Sequence, residues 1–155
     1  MSRRTVNDMD EQFGLERFVA AQDLGGTYDA ALAELRAGRK RSHWMWFVFP
    51  QIEGLGQSTI SRRYAIRSLA EAQAYLAHPV LGPRLIEAAR VVKRVGSSAE
   101  AIFGGIDAIK LRSSMTLFAR ADPTNSLFQD VLDLYFGGVP DDATDRLLRG
   151  DPPPK

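Results

Sequence analysis

A single strand-like segment stands in a sequence whose pattern is otherwise helical. Residues 42–50 are rich in aromatic and β-branched side chains, which favour a strand. No second segment of this kind is available to pair with it, and an isolated strand would leave its backbone hydrogen bonds unmade. We therefore predict a short buried helix that is capped by Ser42 and ends before Pro50.

The remaining sequence has the spacing and the caps of amphipathic helices. After Thr27, apolar residues at i, i+3, i+4 and i+7 share one helical face: Tyr28, Ala31, Leu32 and Leu35. Further helices are predicted over residues 11–22, 58–66, 69–77 and 142–148. Asp10, Ser58 and Ser68 are their candidate N-caps, and Glu71 completes a capping box with Ser68.

A central helix is predicted over residues 106–121, because this segment is apolar on two sides. The two sides are formed by Ile106, Ile109 and Leu117 and by Leu111, Met115 and Phe118. Gly104 and Gly105 separate it from a helical turn at residues 98–103. We therefore predict an all-α fold, a single compact domain of about eight short helices over residues 11–149, with flexible termini at residues 1–10 and 150–155.

Length and composition fit one globular domain and exclude several classes of protein. The chain has 155 residues and no Cys, which excludes a disulfide scaffold and a zinc site built on thiolates. Its two His cannot form a three-His site, so we expect no metal and no cofactor. The longest apolar run, residues 44–49, is far shorter than the roughly 20 residues of a membrane span, so we expect no membrane association.

Charge balance and the N-terminal sequence limit the expected partners and location. The 20 basic and 19 acidic residues give a net charge of +1, which provides no general field for nucleic acid. We expect no specific nucleic-acid partner, and the sequence leaves any protein partner open. Residues 1–10 lack the apolar core of a signal peptide, so we expect a cytoplasmic location.

The first candidate functional segment is residues 39–44, where cations precede a predicted helix. Arg39 and its basic neighbours, together with the helix N-terminus, would attract an anion. His43 could transfer a proton near neutral pH, and Trp44 or Trp46 could stack on a base or sugar. The alternative is a solvated basic turn followed by aromatic residues of the core.

The second candidate segment is the loop at residues 51–58, which begins at Gln51. Gly54 and Gly56 would let the backbone approach a ligand, and the loop ends at the predicted N-cap Ser58. Arg62, one turn into the following helix, could neutralise a phosphate. The loop is neither a Walker motif nor a dinucleotide fingerprint, and the alternative is an ordinary connection between helices.

The third candidate segment lies on the predicted central helix. Asp107, Lys110 and Ser114 are spaced i, i+3 and i+7, which places them on one face. If that face lines a pocket, Lys110 could bind a phosphate, and Asp107 could act as a base or orient a sugar hydroxyl. The alternative is a polar stripe that faces water.

Several sequence blocks resemble an uncharacterised bacterial family that carries a domain-of-unknown-function label. They are GRKRSHWMWFVFPQ at residues 38–51, GLG at residues 54–56, AYLAHPVLG at residues 74–82 and SSMTLF at residues 113–118. The resemblance covers residues 15–148 and implies an all-helical fold like that of mycobacterial conserved hypothetical proteins, with no established activity. Some members are labelled calpastatin, but calpastatins are disordered protease inhibitors and this composition is globular.

The order of these blocks is also similar to that of a helical family of N-glycosidases acting on ribosylated or ADP-ribose-like metabolites. Our first hypothesis is a pocket for a phosphorylated, nucleotide-like small molecule; an enzyme of this kind would hydrolyse an N-glycosidic or phosphate-ester bond. Its candidate catalytic residues are Asp107 and His43, and its candidate ligand-binding residues are Arg39, Trp44, Gln51, Gly54, Gly56, Ser58, Arg62, Lys110 and Ser114. The alternative is a non-catalytic protein-interaction module.

Overall fold

A computed structural model describes residues 12–151 of the chain, and the regular structure within them is helical, as predicted. The helices are α1 (Glu16–Asp23), α2 (Thr27–Arg36), α3 (Met45–Val48), α4 (Thr59–Arg63), α5 (Leu69–Ala77), α6 (Leu81–Val95), α7 (Ala99–Ala121), α8 (Leu127–Phe136) and α9 (Asp142–Leu148). They form one compact all-α domain, which confirms the predicted fold class. No helix in the described range is both long and apolar enough to cross a bilayer.

Helix α7 is the centre of the domain, because helices α5, α8 and α9 all pack against it. Leu111, Met115 and Phe118 are buried as predicted. Ile106 and Ile109, in contrast, are 75% and 65% exposed, so this part of the predicted apolar side does not lie in the core. The reason is that their side of α7 borders a cavity, described below, rather than another helix.

Two of the predicted helix boundaries are set by local hydrogen bonds, and a third is set by a glycine. Ser58 and Ser68 are N-caps, because their side-chain oxygens accept from the N–H groups of Ser61 and Glu71, both at 3.1 Å. The predicted break before the central helix appears as a kink inside α7. It lies at Gly104, whose φ of 77° and ψ of 169° are accessible in practice only to glycine.

The aromatic segment forms a short buried helix that ends before Pro50, as predicted, but it begins at Met45 rather than after Ser42. Ser42 is not its cap, because its hydroxyl donates instead to Glu34 Oε2 at 2.7 Å. Glu34 Oε1 accepts from the N–H groups of Arg41 and Ser42 at 2.7 and 2.9 Å and from Trp44 Nε1 at 3.0 Å. One carboxylate on α2 therefore fixes the chain that leads into α3.

These contacts also determine the charge state of Glu34. Partial burial acts to raise the pKa of Glu34, but the hydrogen bonds from Ser42, Arg41 and Trp44 outweigh burial and hold the pKa at about 2. The carboxylate is therefore ionised throughout the neutral and mildly acidic range, and each hydrogen bond that it accepts is charge-assisted.

The predicted helix over residues 58–66 is shorter than expected because its last residues pair with another segment. Helix α4 ends at Arg63, and Ile66 forms a parallel bridge with Ile52. Glu53 N–H donates to Ile66 O, and Ile66 N–H donates to Gln51 O, both at 2.8 Å. A strand-like pairing therefore exists in the chain, but it follows the aromatic segment instead of including it.

The predicted helix over residues 11–22 is also interrupted, with a turn at Gly14 and Leu15 before α1 begins. Arg17 of α1 donates to Arg63 O and Ala65 O, both at 2.8 Å, and ties α1 to the end of α4. The proposed cap Asp10 and the predicted flexible residues 1–10 and 152–155 lie outside the described residues.

Candidate ligand cavity

A cavity of about 370 Å³ lies between the loop that follows α3, helix α4 and the exposed side of α7, with the start of α9 at its edge. Its lining residues are Trp46, Gln51, Ile52, Glu53, Gly54, Leu55, Gly56, Ser61, Arg62, Tyr64, Ala65, Ile106, Ile109, Lys110, Ser113, Asp141 and Ala143. The volume falls within the range of about 300–1,000 Å³ that is typical of small-molecule sites. The geometry is that of a concave site for a small ligand.

Most of the cavity wall is apolar, and two of its residues are aromatic. Trp46 lies on α3 and Tyr64 directly follows α4, and each ring is only partly buried. Leu55 and the exposed isoleucines 106 and 109 complete the apolar wall. Partly exposed aromatic rings in an apolar cavity can stack on a flat ligand ring.

One of the two cations at the wall is held in place by a network of charges. Lys110 Nζ lies 3.3 Å from Asp107 Oδ1 and 4.6 Å from the centroid of the Trp46 ring. Asp107 Oδ2 in turn lies 2.9 Å from Nζ of Lys40, whose side chain is only 8% exposed. Lys40 Nζ is also 5.0 Å from the Trp44 ring centroid. Asp107 thus bridges two lysines that each contact a tryptophan.

The other charged groups at the cavity differ in the number of hydrogen bonds that they form with the rest of the protein. Arg62 donates to Gln57 Oε1 at 3.0 Å and is otherwise exposed to solvent. Asp141 Oδ2 caps α9 by accepting from the N–H and the hydroxyl of Thr144, at 2.9 and 2.6 Å. The Glu53 carboxylate has no hydrogen-bond or ion-pair partner among residues 12–151. Glu53 is therefore the acidic group at the wall that is available to a ligand.

One glycine of the loop, Gly56, is required by packing. A Cβ at Gly56 would lie 2.6 Å from Ser61 Oγ and 2.7 Å from Ser61 Cβ, closer than real side chains approach. Gly56 therefore allows the loop to contact the first turn of α4. This contact, rather than a close approach to a ligand, explains why a glycine occupies position 56.

The structure brings together residues from the second and third predicted segments. Gln51, Gly54, Gly56, Arg62 and Lys110 all line the cavity. Asp107 lies next to it through its ion pair with Lys110. The loop and the central helix therefore meet, although they are about 50 residues apart in sequence.

The other predicted site residues lie outside the cavity lining. Arg39 and His43 are exposed. Trp44 is fully buried against Phe49 and Phe103, so its faces are covered by core residues. Ser58 is occupied as the cap of α4, and Ser114 is buried, with a hydroxyl that has no partner within the described residues.

The prediction missed several residues that do line the cavity. Glu53 lies in the predicted loop and Tyr64 in the predicted helix over residues 58–66, but no motif marks either residue. Asp141 lies just before the predicted helix over residues 142–148, and the helical pattern of Ile106 and Ile109 gives no sign of a cavity. Trp46 was named beside Trp44 as a possible stacking residue, and it is the one of the pair that reaches the cavity.

Comparisons with known proteins agree with this fold. The chain is similar to the crystal structure of the conserved hypothetical protein Rv1873 from Mycobacterium tuberculosis, with 55% sequence identity and a TM-score of 0.86. The match covers 89% of this chain and 98% of that chain. A search of curated proteins found no match. Residues 12–148 match the family described as "Protein of unknown function (DUF1810)", and the chain therefore belongs to that family.

Proposed function

We propose that this protein binds a small phosphorylated, nucleotide-like molecule in the cavity beside α7. The observation that carries the proposal is the combination of aromatic walls with two cations, Arg62 and Lys110, in one concave site of about 370 Å³. A ligand with a flat ring and an anionic group would match both features.

The flat part of the ligand would contact the aromatic wall. Trp46 and Tyr64 both line the cavity, and stacking of a nucleic-acid base on an aromatic ring contributes about 1–3 kcal/mol. The Lys110 ammonium lies 4.6 Å from the Trp46 ring centroid, so an anionic group bound to Lys110 would be near the stacked ring. This spacing fits a molecule whose ring and phosphate are joined by a short linker such as a sugar.

The phosphate would be bound by the two cations. The Arg62 guanidinium can donate two parallel hydrogen bonds to phosphate oxygens, and it would exchange its contact with Gln57 for them. Lys110 would add a point charge, because its ion pair with Asp107 holds its amine at the wall. In this arrangement Asp107 is a positioning residue for Lys110.

If the protein is an enzyme, Glu53 is better placed than Asp107 to act as the general base, because Asp107 is already shared by two lysines. In hydrolysis of an N-glycosidic bond, Glu53 would remove a proton from a water molecule while the oxygen of that water bonds to the anomeric carbon. The bond between that carbon and the base nitrogen breaks, and the leaving nitrogen takes a proton from solvent. His43 has no role in this scheme, because it lies outside the cavity lining.

Isothermal titration calorimetry with purine and pyrimidine nucleoside monophosphates tests binding. We expect Lys110→Met to weaken binding by about tenfold or more, because a charge-assisted hydrogen bond contributes about 1.5–3 kcal/mol. Lys93→Met is the matched control, since Lys93 pairs with Asp130 on α8 and does not line the cavity. An absence of heat with every nucleotide would contradict the proposal. Hydrolysis is tested separately by using chromatography to measure the release of free base by the wild type and by Glu53→Gln.

The alternative, a protein-interaction module, is favoured by one observation. Ile106 and Ile109 are 75% and 65% exposed beside the cavity, and adjacent exposed apolar side chains often mark contact surfaces. This function predicts no response to nucleotides in the same titrations. It also predicts that a hydrophobic fluorescent dye binds this face. The binding should be lost in the double variant Ile106→Ser, Ile109→Ser.

A further inference from the structure

We infer that the cavity selects a ligand with a single phosphate, a nucleoside monophosphate, over the corresponding diphosphate or triphosphate. The inference rests on the proposed function and extends it from a ligand type to the charge of the ligand. It follows from the balance of charges at the cavity and from the chemistry of the remaining wall.

The charged groups at the cavity balance one another. Arg62 and Lys110 line it as cations, and Glu53 and Asp141 line it as anions. Directly behind Lys110, the pair of Lys40 and Asp107 adds one charge of each sign. The site as a whole is therefore electrically neutral, whereas sites for polyphosphates carry an excess of cations or a bound metal ion.

The two lining cations are sufficient for one phosphate and no more. A phosphate monoester carries a charge of about −1.5 to −2 near neutral pH, and Arg62 and Lys110 are the two lining cations that can contact its oxygens. A second phosphate would find no free cation in the lining, and it would share the cavity with the unpaired carboxylate of Glu53. Repulsion between like charges would then weaken binding.

The rest of the wall offers no substitute for the missing cations. Trp46, Leu55, Tyr64 and the two isoleucines are apolar or aromatic, and charged oxygens placed against such surfaces lose hydration without compensation.

The test is a set of calorimetric titrations of the full-length protein with AMP, ADP, ATP and adenosine, and with the matching uridine series. Magnesium is left out, because it would mask the charge of the polyphosphates. We expect the monophosphate to bind about tenfold or more tightly than either the diphosphate or the nucleoside. The Glu53→Gln variant should raise the affinity for ADP and ATP several-fold while changing that for AMP less. Glu87→Gln, an exposed residue of α6 outside the lining, is the matched control.

The possible results separate the two proposals. If ADP or ATP binds as tightly as AMP, the selection for one phosphate is wrong, while nucleotide binding in the cavity stands. If Glu53→Gln leaves the ratio of AMP to ADP affinity unchanged, the charge explanation is overturned. If no nucleotide or nucleoside produces heat, the proposed function itself fails, and this inference fails with it.

Discussion

Replacing Glu34 with Gln should destabilise the protein by an amount that depends on pH. The Glu34 carboxylate accepts four hydrogen bonds, two from backbone N–H groups, one from the Ser42 hydroxyl and one from the Trp44 indole. A Gln side chain keeps a single acceptor oxygen and turns an amide NH2 group, itself a donor, toward the donors. The variant therefore keeps the size of the side chain but loses the charge and half of the acceptors.

The pKa of Glu34 gives the size of the charge-dependent part. A fall from 4.5 to about 2 corresponds to roughly 3 kcal/mol of stability, and solvent screening of this partly buried carboxylate reduces our expectation to about 1–2 kcal/mol. Because the folded-state pKa is the lower one, this stability is fully present above about pH 4.5. It is lost as the pH falls toward 2, where the carboxyl group is protonated in both states.

Urea unfolding of wild type and Glu34→Gln, measured from about pH 6 to about pH 3, tests this expectation. The difference in the free energy of unfolding between the two proteins should be constant at the upper end and shrink as the pH falls below about 4.5. Taking the difference removes the contribution of every other carboxylate that titrates in both proteins. A difference that stays constant over the whole range would refute the role assigned to Glu34.

Three further predictions follow from packing and exposure. Gly82→Ala should lower stability by about 2–4 kcal/mol in urea unfolding, because its Cβ would lie 2.1 Å from the carbonyl oxygen of Leu76. Gly105→Ala is the control and should cost less, because its Cβ would meet no atom within 4 Å. Gly104→Ala should lower the free energy of unfolding by about 1–3 kcal/mol through backbone strain alone, since its Cβ would meet no atom within 4 Å. An unchanged denaturation midpoint would contradict the strained conformation assigned to Gly104. Trp46→Phe should remove most of the fluorescence that acrylamide quenches, because Trp44 is fully buried; strong quenching of the variant would mean that Trp44 is accessible.

The parts of the fold that could be predicted from sequence are those governed by interactions within a few residues. The caps at Ser58 and Ser68 each bond to an N–H three residues ahead, so the pattern is visible in the sequence. The true beginning of α3 could not be predicted in this way. It depends on Glu34, which lies 8 residues before Ser42 and acts across a turn between two helices.

The candidate site could be predicted as segments but not in its final arrangement. Arg62 and Lys110 line one cavity, as the hypothesis required, because α4 and α7 both border it. Which tryptophan reaches that cavity depends on orientation, since successive residues of a helix differ in direction by about 100°. Trp44 precedes the first turn of α3 and enters the core, whereas Trp46 lies within α3 and faces the cavity. Periodicity cannot make this distinction around a helix of four residues.

The same contacts explain why the segment that contains Trp44 and Trp46 contributes to both the core and the cavity. Glu34 fixes Ser42 and the Trp44 indole, and Trp44 sets the orientation of α3 in the core. That orientation places Trp46 beside Lys110, whose amine is held from the other side by Asp107. A change at Glu34, which does not line the cavity, should therefore disturb the ligand site through Trp46. Weaker nucleotide binding by Glu34→Gln at neutral pH, where that protein is still folded, would reveal this connection.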